Sequence, residues 1–271
     1  MKKKKIFLSF ITVLLLVFSF ALFSNTAEAA KNYRKLEEGN VYKTKLTGSK
    51  QYKLKYTYNR DTMKFKLFIN GKCVKTINDT VWPEVCILKV KSNRNLIYVH
   101  DCGPSDDTIY IKIYEFKNQK LKQLADITNI TQNKYSRHLH SAVIQSVTSE
   151  KLTLFWYIQS NALGSTFHVE IPYKIGASKI TRSGTSYKLK NWEGEQVKFT
   201  AKQKIKTYTK AGGNKVAFTV NKNQKVTITR LYGKNGNTYI QVKNANGKVG
   251  WFKDPEKYVN GGYFKECMFA G

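Results

Sequence analysis

From about residue 31 onward the chain is built of short runs in which apolar and polar residues alternate, each run ending in Asn, Gly, Asp or Ser. A period of two sends every second side chain to one face of a strand, and almost no stretch carries the 3.6-residue period of a helix, so the pattern predicts an all-β fold. Two segments share one order of elements. VCILKVKSNRNLIYVHDCGPSDDTIYIKIYEFKNQKLKQL, from Val85, and AVIQSVTSEKLTLFWYIQSNALGSTFHVEIPYKIGASKI, from Ala142, each read as strand, short turn, strand, a loop of about ten residues, strand, turn, strand. An earlier stretch, KFKLFINGKCVKTI, matches the last hairpin of that unit and predicts a partial copy. Four-stranded meanders repeating at roughly fifty residues are the mark of propeller blades, but a ring needs about four of them. Residues 31–186 are too few, so the expectation there is an antiparallel blade-like stack or a sandwich.

A new run of lysine-alternating strands begins near Tyr187, and residues 187–271 are read as a second domain. Within it KNGNTYIQVKNANGKVGW, Lys234 to Trp251, holds two Asn-Gly pairs. Asn and Gly tolerate the positive φ of a type I′ turn, so Gly236 and Gly247 mark chain reversals on either side of a strand containing Tyr239 to Val242. Several short strands in so few residues suit a small β-barrel, with Val226, Ile228, Tyr239, Ile240, Val242, Val249 and Trp251 in or near its core.

The first thirty residues stand apart. MKKKK is a positive leader, IFLSFITVLLLVFSFALF an apolar run, and the small residues around Ala27 to Ala30 suit a signal-peptidase cut after Ala29 or Ala30. Residues 1–30 are therefore expected to be a signal peptide and the protein to be secreted, with no stable membrane insertion after cleavage. Retention of the run as an anchor is the alternative. Lys2 to Lys5 and Glu28 leave with the leader, so the formal charge falls from +29 to +26. Residues 187–271 carry 17 basic and 5 acidic side chains, and residues 31–186 carry 26 and 12, which makes the shorter segment the more basic per residue. Such a charge favours anionic partners. Export, and the lack of a zinc-finger spacing, a basic helix or an aromatic RNA-binding motif, argue against nucleic acid.

The residues IKTYTKAGGNKVAFTVNKNQKVTITRLYGKNGNTYIQVKNANGKVGWFKD resemble a bacterial SH3-like domain, which would span about residues 198–254. The likeness rests on the opening KTYTKAG, the strand entry VNKNQKVTITR, the strand TYIQVK and the ending GKVGWF. Such domains are commonly appended to secreted cell-wall enzymes and adhesins and hold them on peptidoglycan or a related surface polymer. The resemblance thus implies wall attachment, with peptidoglycan or teichoic acid as partner. An aromatic beside a basic strand offers a flat apolar face plus charge, as a glycan or peptide stem requires, and Tyr208, Tyr232, Tyr239 and Trp251 are the candidate ligand contacts.

Catalytic or metal chemistry has weaker signals. His138 and His140 would share one side of a strand, as some zinc pairs do, with His168 or Asp106 as a further ligand. His100 and Cys102 also share a side, whereas Asp101 between them does not, and nothing marks an oxyanion donor. Asp101, Asp106 and Asp107 cluster without the regular spacing of a calcium loop. The expectation is no catalytic set, no metal and no cofactor, and a non-enzymatic surface protein; the alternative is a wall hydrolase or peptidase whose catalytic half lies in residues 31–186. Cys73, Cys86, Cys102 and Cys267 allow three pairings, and their spacing selects none. Unpaired buried thiols are the simpler expectation.

Overall fold

The computed structural model describes residues 32–104, 107–132, 139–191, 195–257 and 262–266. The first 31 residues, which include the expected signal peptide, and His138, Asp106 and Cys267 lie outside them.

Three antiparallel meanders follow one another. The first sheet runs in chain order through β2 (Tyr42–Thr44), β3 (Tyr52–Asn59), β4 (Lys64–Ile69) and β5 (Lys72–Ile77). The second contains β6 (Trp82–Lys91), β7 (Arg94–Cys102), β8 (Thr108–Lys117) and β9 (Lys120–Asp126), with β1 (Tyr33–Lys35) added at the free edge of β6. After a short helix, α1 (Ile127–Gln132), come β10 (Leu139–Val147), β11 (Lys151–Ser160), β12 (Ser165–Ile175) and β13 (Ile180–Arg182). The two full repeats are therefore four-stranded meanders, and the partial copy is the second half of a third. The long loop expected inside each repeat is shorter, because the strands extend into it: only residues 103–107 separate β7 from β8, and 161–164 separate β11 from β12.

Alternation along the second sheet explains the layering. Val85, Ile87, Ile97 and Val99 join Leu54, Tyr56, Phe65, Leu67 and Ile69 of the first sheet in one core. Cys86, Leu88, Leu96 and Tyr98 face the other way, into a core with Leu152, Leu154 and Trp156. A sheet covered on both faces needs apolar residues at consecutive positions, which is why VCIL and LIYV lose their alternation. Inside the larger core Trp156 and Tyr173 pair their polar ends: Trp156 Nε1 donates to Tyr173 Oη at 2.9 Å, and Thr131 Oγ1 lies 2.6 Å from the same oxygen, tying α1 to the third meander, whereas the buried Tyr98 Oη has no partner among the described residues.

The larger core continues past residue 187 through Tyr187, Leu189, Phe199, Ile228, Leu231, Ile240 and Phe252 to Phe264. So does the sheet. β14 (Ser186–Lys190) pairs with β12 on one side and with β18 (Lys225–Lys234) on the other. Beyond β18 come β19 (Asn237–Lys243), β20 (Val249–Lys253), β16 (Ile205–Tyr208) and β17 (Val216–Val220), while β15 (Lys198–Thr200) adds to β18. These strands form part of an open eleven-stranded sheet; the expected closure into a barrel is absent, since β17 ends the row on β16 while the row opens at β10. Asp254 fastens the join. It is buried, and its Oδ1 accepts from Ser160 Oγ at 3.0 Å and from the Ala162 amide at 2.9 Å in the β11–β12 turn.

Asn235 (φ 51°) and Gly236 (φ 73°) both take positive φ, as a type I′ turn requires. The second Asn-Gly differs: only Gly247 has positive φ, at the end of a turn closed by the Gly247 amide on Asn244 O at 3.0 Å, a longer hairpin loop with its left-handed residue last. Gly250 serves packing. A Cβ there would fall 2.4 Å from Thr207 Oγ1 and 3.0 Å from the Phe218 ring, so only glycine lets β16 and β17 cross β20 this closely. Of the expected core, Val226, Ile228, Ile240 and Val242 are buried, whereas Val249 is about half exposed because it shares the outward side of β20 with Trp251.

Candidate functional site

Positions 240, 242 and 252 point into the core, so their neighbours must point out. Register then gathers the four candidate aromatics on one outer face. Tyr232 lies opposite Tyr239, Gln241 lies between Arg230 and Trp251, and Trp251 lies opposite Tyr208. The rings touch: Tyr232 and Tyr239 have centroids 6.3 Å apart, and Tyr232 meets Trp251 edge-on at 6.0 Å. All four are half-buried, which leaves part of each ring open to solvent while its neighbours fix its orientation. The loop between β16 and β17 passes over the cluster, with Gly212 (φ 70°) against Tyr239 Oη.

Charge surrounds the rings. Lys253 lies opposite Tyr239, Lys206 is two positions from Tyr208 on the same side of β16, and Arg230 is two positions from Tyr232. Arg230 is held in place by its own bonds, Nε to Ser186 Oγ at 3.0 Å and Nη2 to Ser186 O at 2.7 Å. Beside Tyr208 and Lys253 a shallow depression of about 200 Å³ is lined also by Lys204, Lys206 and Tyr263.

The same outer face runs on across β14 into the third meander, which sequence reasoning did not find. Lys190 of β14 lies opposite His168, next to Tyr157 and Phe155 of β11. Phe155 stacks on His168 at 4.0 Å and meets Tyr157 at 5.6 Å, and Val143, opposite Phe155, is about half exposed. Burial, followed by the nearby Lys190 charge, pushes the His168 pKa below its ordinary value, so this ring is neutral at neutral pH. The alternation of FWYIQ against FHVEI carried the signal, but only the β12–β14 pairing puts it on the face with Trp251.

The remaining candidates do not assemble. His140 Nδ1 lies 2.6 Å from Asp107 Oδ1 on the surface, His168 is engaged with Phe155, and among the described residues no three His, Cys, Asp or Glu side chains are placed to share a metal ion. Cys102 Sγ is 3.3 Å from His100 Nε2, which is also 3.0 Å from Thr108 Oγ1. Burial lowers the His100 pKa to about 4 and keeps the imidazole neutral. Asp101, on the opposite side of the strand, accepts from the Val81 and Trp82 amides, each at 2.9 Å, and orients neither. Glu84, opposite His100, is bound to Lys35 at 2.6 Å. Cys86 is a buried thiol that loss of hydration keeps protonated, and Cys73 is an exposed one, contrary to the expectation of burial.

No protein-family model, curated protein or solved structure matches the chain.

Proposed function

We propose that the protein is exported and attaches, without catalysis, to the bacterial cell wall through the aromatic face of residues 187–271, which we read as related to SH3-like wall-binding domains. The observation that carries this reading is the convergence of Tyr208, Tyr232, Tyr239 and Trp251 on one half-exposed, lysine-bordered surface. Sugar rings have apolar C–H faces that pack on aromatic side chains, while ammonium groups meet the carboxylates of stem peptides or the phosphates of teichoic acid. The ligand is peptidoglycan, with an associated anionic polymer adding attraction.

Sedimentation of the mature chain with purified sacculi, with and without teichoic acid and across a salt series, tests it. The expected result is a salt-resistant fraction retained on bare sacculi and lost in the Trp251→Ala/Tyr232→Ala double variant. Retention that salt abolishes entirely would mean that charge alone is responsible. The hydrolase reading rests on the Cys102–His100 contact; release of soluble fragments from the same sacculi, abolished by Cys102→Ser, would replace attachment with catalysis.

A further inference from the structure

The outward face of the first sheet is a second surface of different chemistry. Strands β2 to β5 contain seven lysines and no Asp or Glu. Leu54, Tyr56, Phe65, Leu67 and Ile69 fill the inward positions, so alternation sends Lys53, Lys55, Lys64 and Lys66 outward, and Lys43 is the direct cross-strand partner of Lys53. Like charges placed opposite one another destabilise a sheet. Among the described residues none of these five lysines takes part in an ion pair. The acids nearest in sequence, Glu37, Glu38, Asp61 and Asp79, sit in flanking turns, and Glu38 is engaged by the Tyr58 amide at 2.7 Å. Next to Lys64 and Lys66 is an open depression of about 460 Å³ whose other walls are Thr57, Tyr58, Asn59 and Thr62. Asn59 Oδ1 already accepts from the Thr62 amide at 2.8 Å and from Thr62 Oγ1 at 2.7 Å, so what Asn59 adds to that wall is an amide donor.

The layout selects the kind of anion. Lysines two apart on a strand are spaced about 6.8 Å, and neighbouring strands about 4.8 Å, so the charge is spread along a flat face instead of converging on one point. That suits a repeated anion better than a single phosphate. Phe68, half-buried, is the one aromatic that alternation sends outward with the lysines, so the face lacks the row of exposed rings on which successive bases stack. We propose that the lysine face of the first sheet binds a linear, non-nucleic phosphodiester polymer through its charge. It does so as a site separate from the aromatic face, and the inference stands whether or not that face binds the wall.

The probe is a glycerol phosphate oligomer of fixed length, titrated into the mature chain from about 50 to 200 mM salt. Releasing counterions from a flexible polyanion gives a slope of log K on log salt of about −0.7 for each phosphate neutralised, so Lys53→Gln/Lys55→Gln/Lys64→Gln/Lys66→Gln should weaken binding at least about tenfold and flatten the slope by about 2 to 3. A control with the same net charge, Lys117→Gln/Lys120→Gln/Lys122→Gln/Lys174→Gln, should change both by less than half as much, and the four-fold Lys→Arg variant of the site should bind like the parent. Trp251→Ala should leave this binding untouched. Equal losses in the two Gln variants would reduce the effect to net charge and overturn the proposal. So would tighter binding of single-stranded DNA with the same number of phosphates.

Discussion

The two outer faces of the molecule follow one rule and reach different ends. On the first sheet, every second residue of β3 and β4 fills a core, and the positions between hold Lys53, Lys55, Lys64 and Lys66 with no acid among them, Lys53 facing Lys43 of β2. On the tail strands, every second residue of β19 and β20 fills a core, and the positions between include Tyr239 and Trp251, each in ring contact with Tyr232 of β18. Lysine stems can lean into solvent and tolerate an imprecise scaffold, whereas rings that must present a flat surface depend on the layer beneath them. The lysine face should therefore survive perturbations that the aromatic face does not.

The largest separation is expected from Gly250→Ala. The new methyl has no room against Thr207 and the Phe218 ring, and forcing it in should cost about 3 kcal/mol. Hydrogen exchange should accelerate in β16, β17 and β20, and the salt-resistant wall retention should disappear, with phosphate-polymer binding by the first sheet unchanged. Loss of both together would show that the faces share one support.

Asp254 gives the next effect, through pH. Burial raises its pKa from an ordinary 3.8 to about 7, so the folded state holds a proton that the unfolded chain has released. Its contribution to stability is full below about pH 4 and declines as pH rises to about 7, by on the order of 3 kcal/mol. His100 acts in the opposite direction between about pH 4 and 6.5, because burial lowers its pKa and neutralisation then favours the fold. Denaturant titrations of the parent and Asp254→Asn isolate the Asp254 term: the variant should gain on the parent steadily from pH 4 to 7 and hold level above. A constant difference would mean that the carboxylate is hydrated and does not clamp the 161–164 turn.

Asp254 also marks how far the sequence reaches. Alternation alone is enough for the all-β class and for the meanders beginning at Val85 and Ala142, because side-chain direction along a strand is a local property; it does not separate Tyr239 and Trp251, expected in or near a core, from the buried Ile240 and Val242 beside them. What stayed hidden is non-local. β2 is three residues long and gives no period, so the first meander read as half a unit. Burial of the second sheet on both sides shows in VCIL only as lost alternation. The pairing of β14 with both β12 and β18, and the burial of Asp254 under a turn some ninety residues earlier, depend on contacts that no short window contains. The aromatic four were found one by one; their assembly with Phe155 and His168 on a common face was not.

A smaller effect sharpens the contrast at the lysine face. Replacing Lys53 by Thr removes a like charge opposite Lys43 and supplies a good strand former, so stability should rise by about 0.3 kcal/mol while phosphate-polymer affinity falls severalfold. A fall in both would mean that the Lys53 stem packs on the sheet and that the face is merely its solvated side.

The most direct test of wall attachment through the aromatic face is retention of the mature chain on teichoic-acid-free sacculi at about 0.5 M salt, where exposed charges more than a few ångströms apart are screened. Parent protein and the lysine-face Gln variant should remain bound, and Trp251→Ala/Tyr232→Ala, folded by circular dichroism, should wash off. Equal retention of all three proteins, or retention of none, would contradict attachment through those rings.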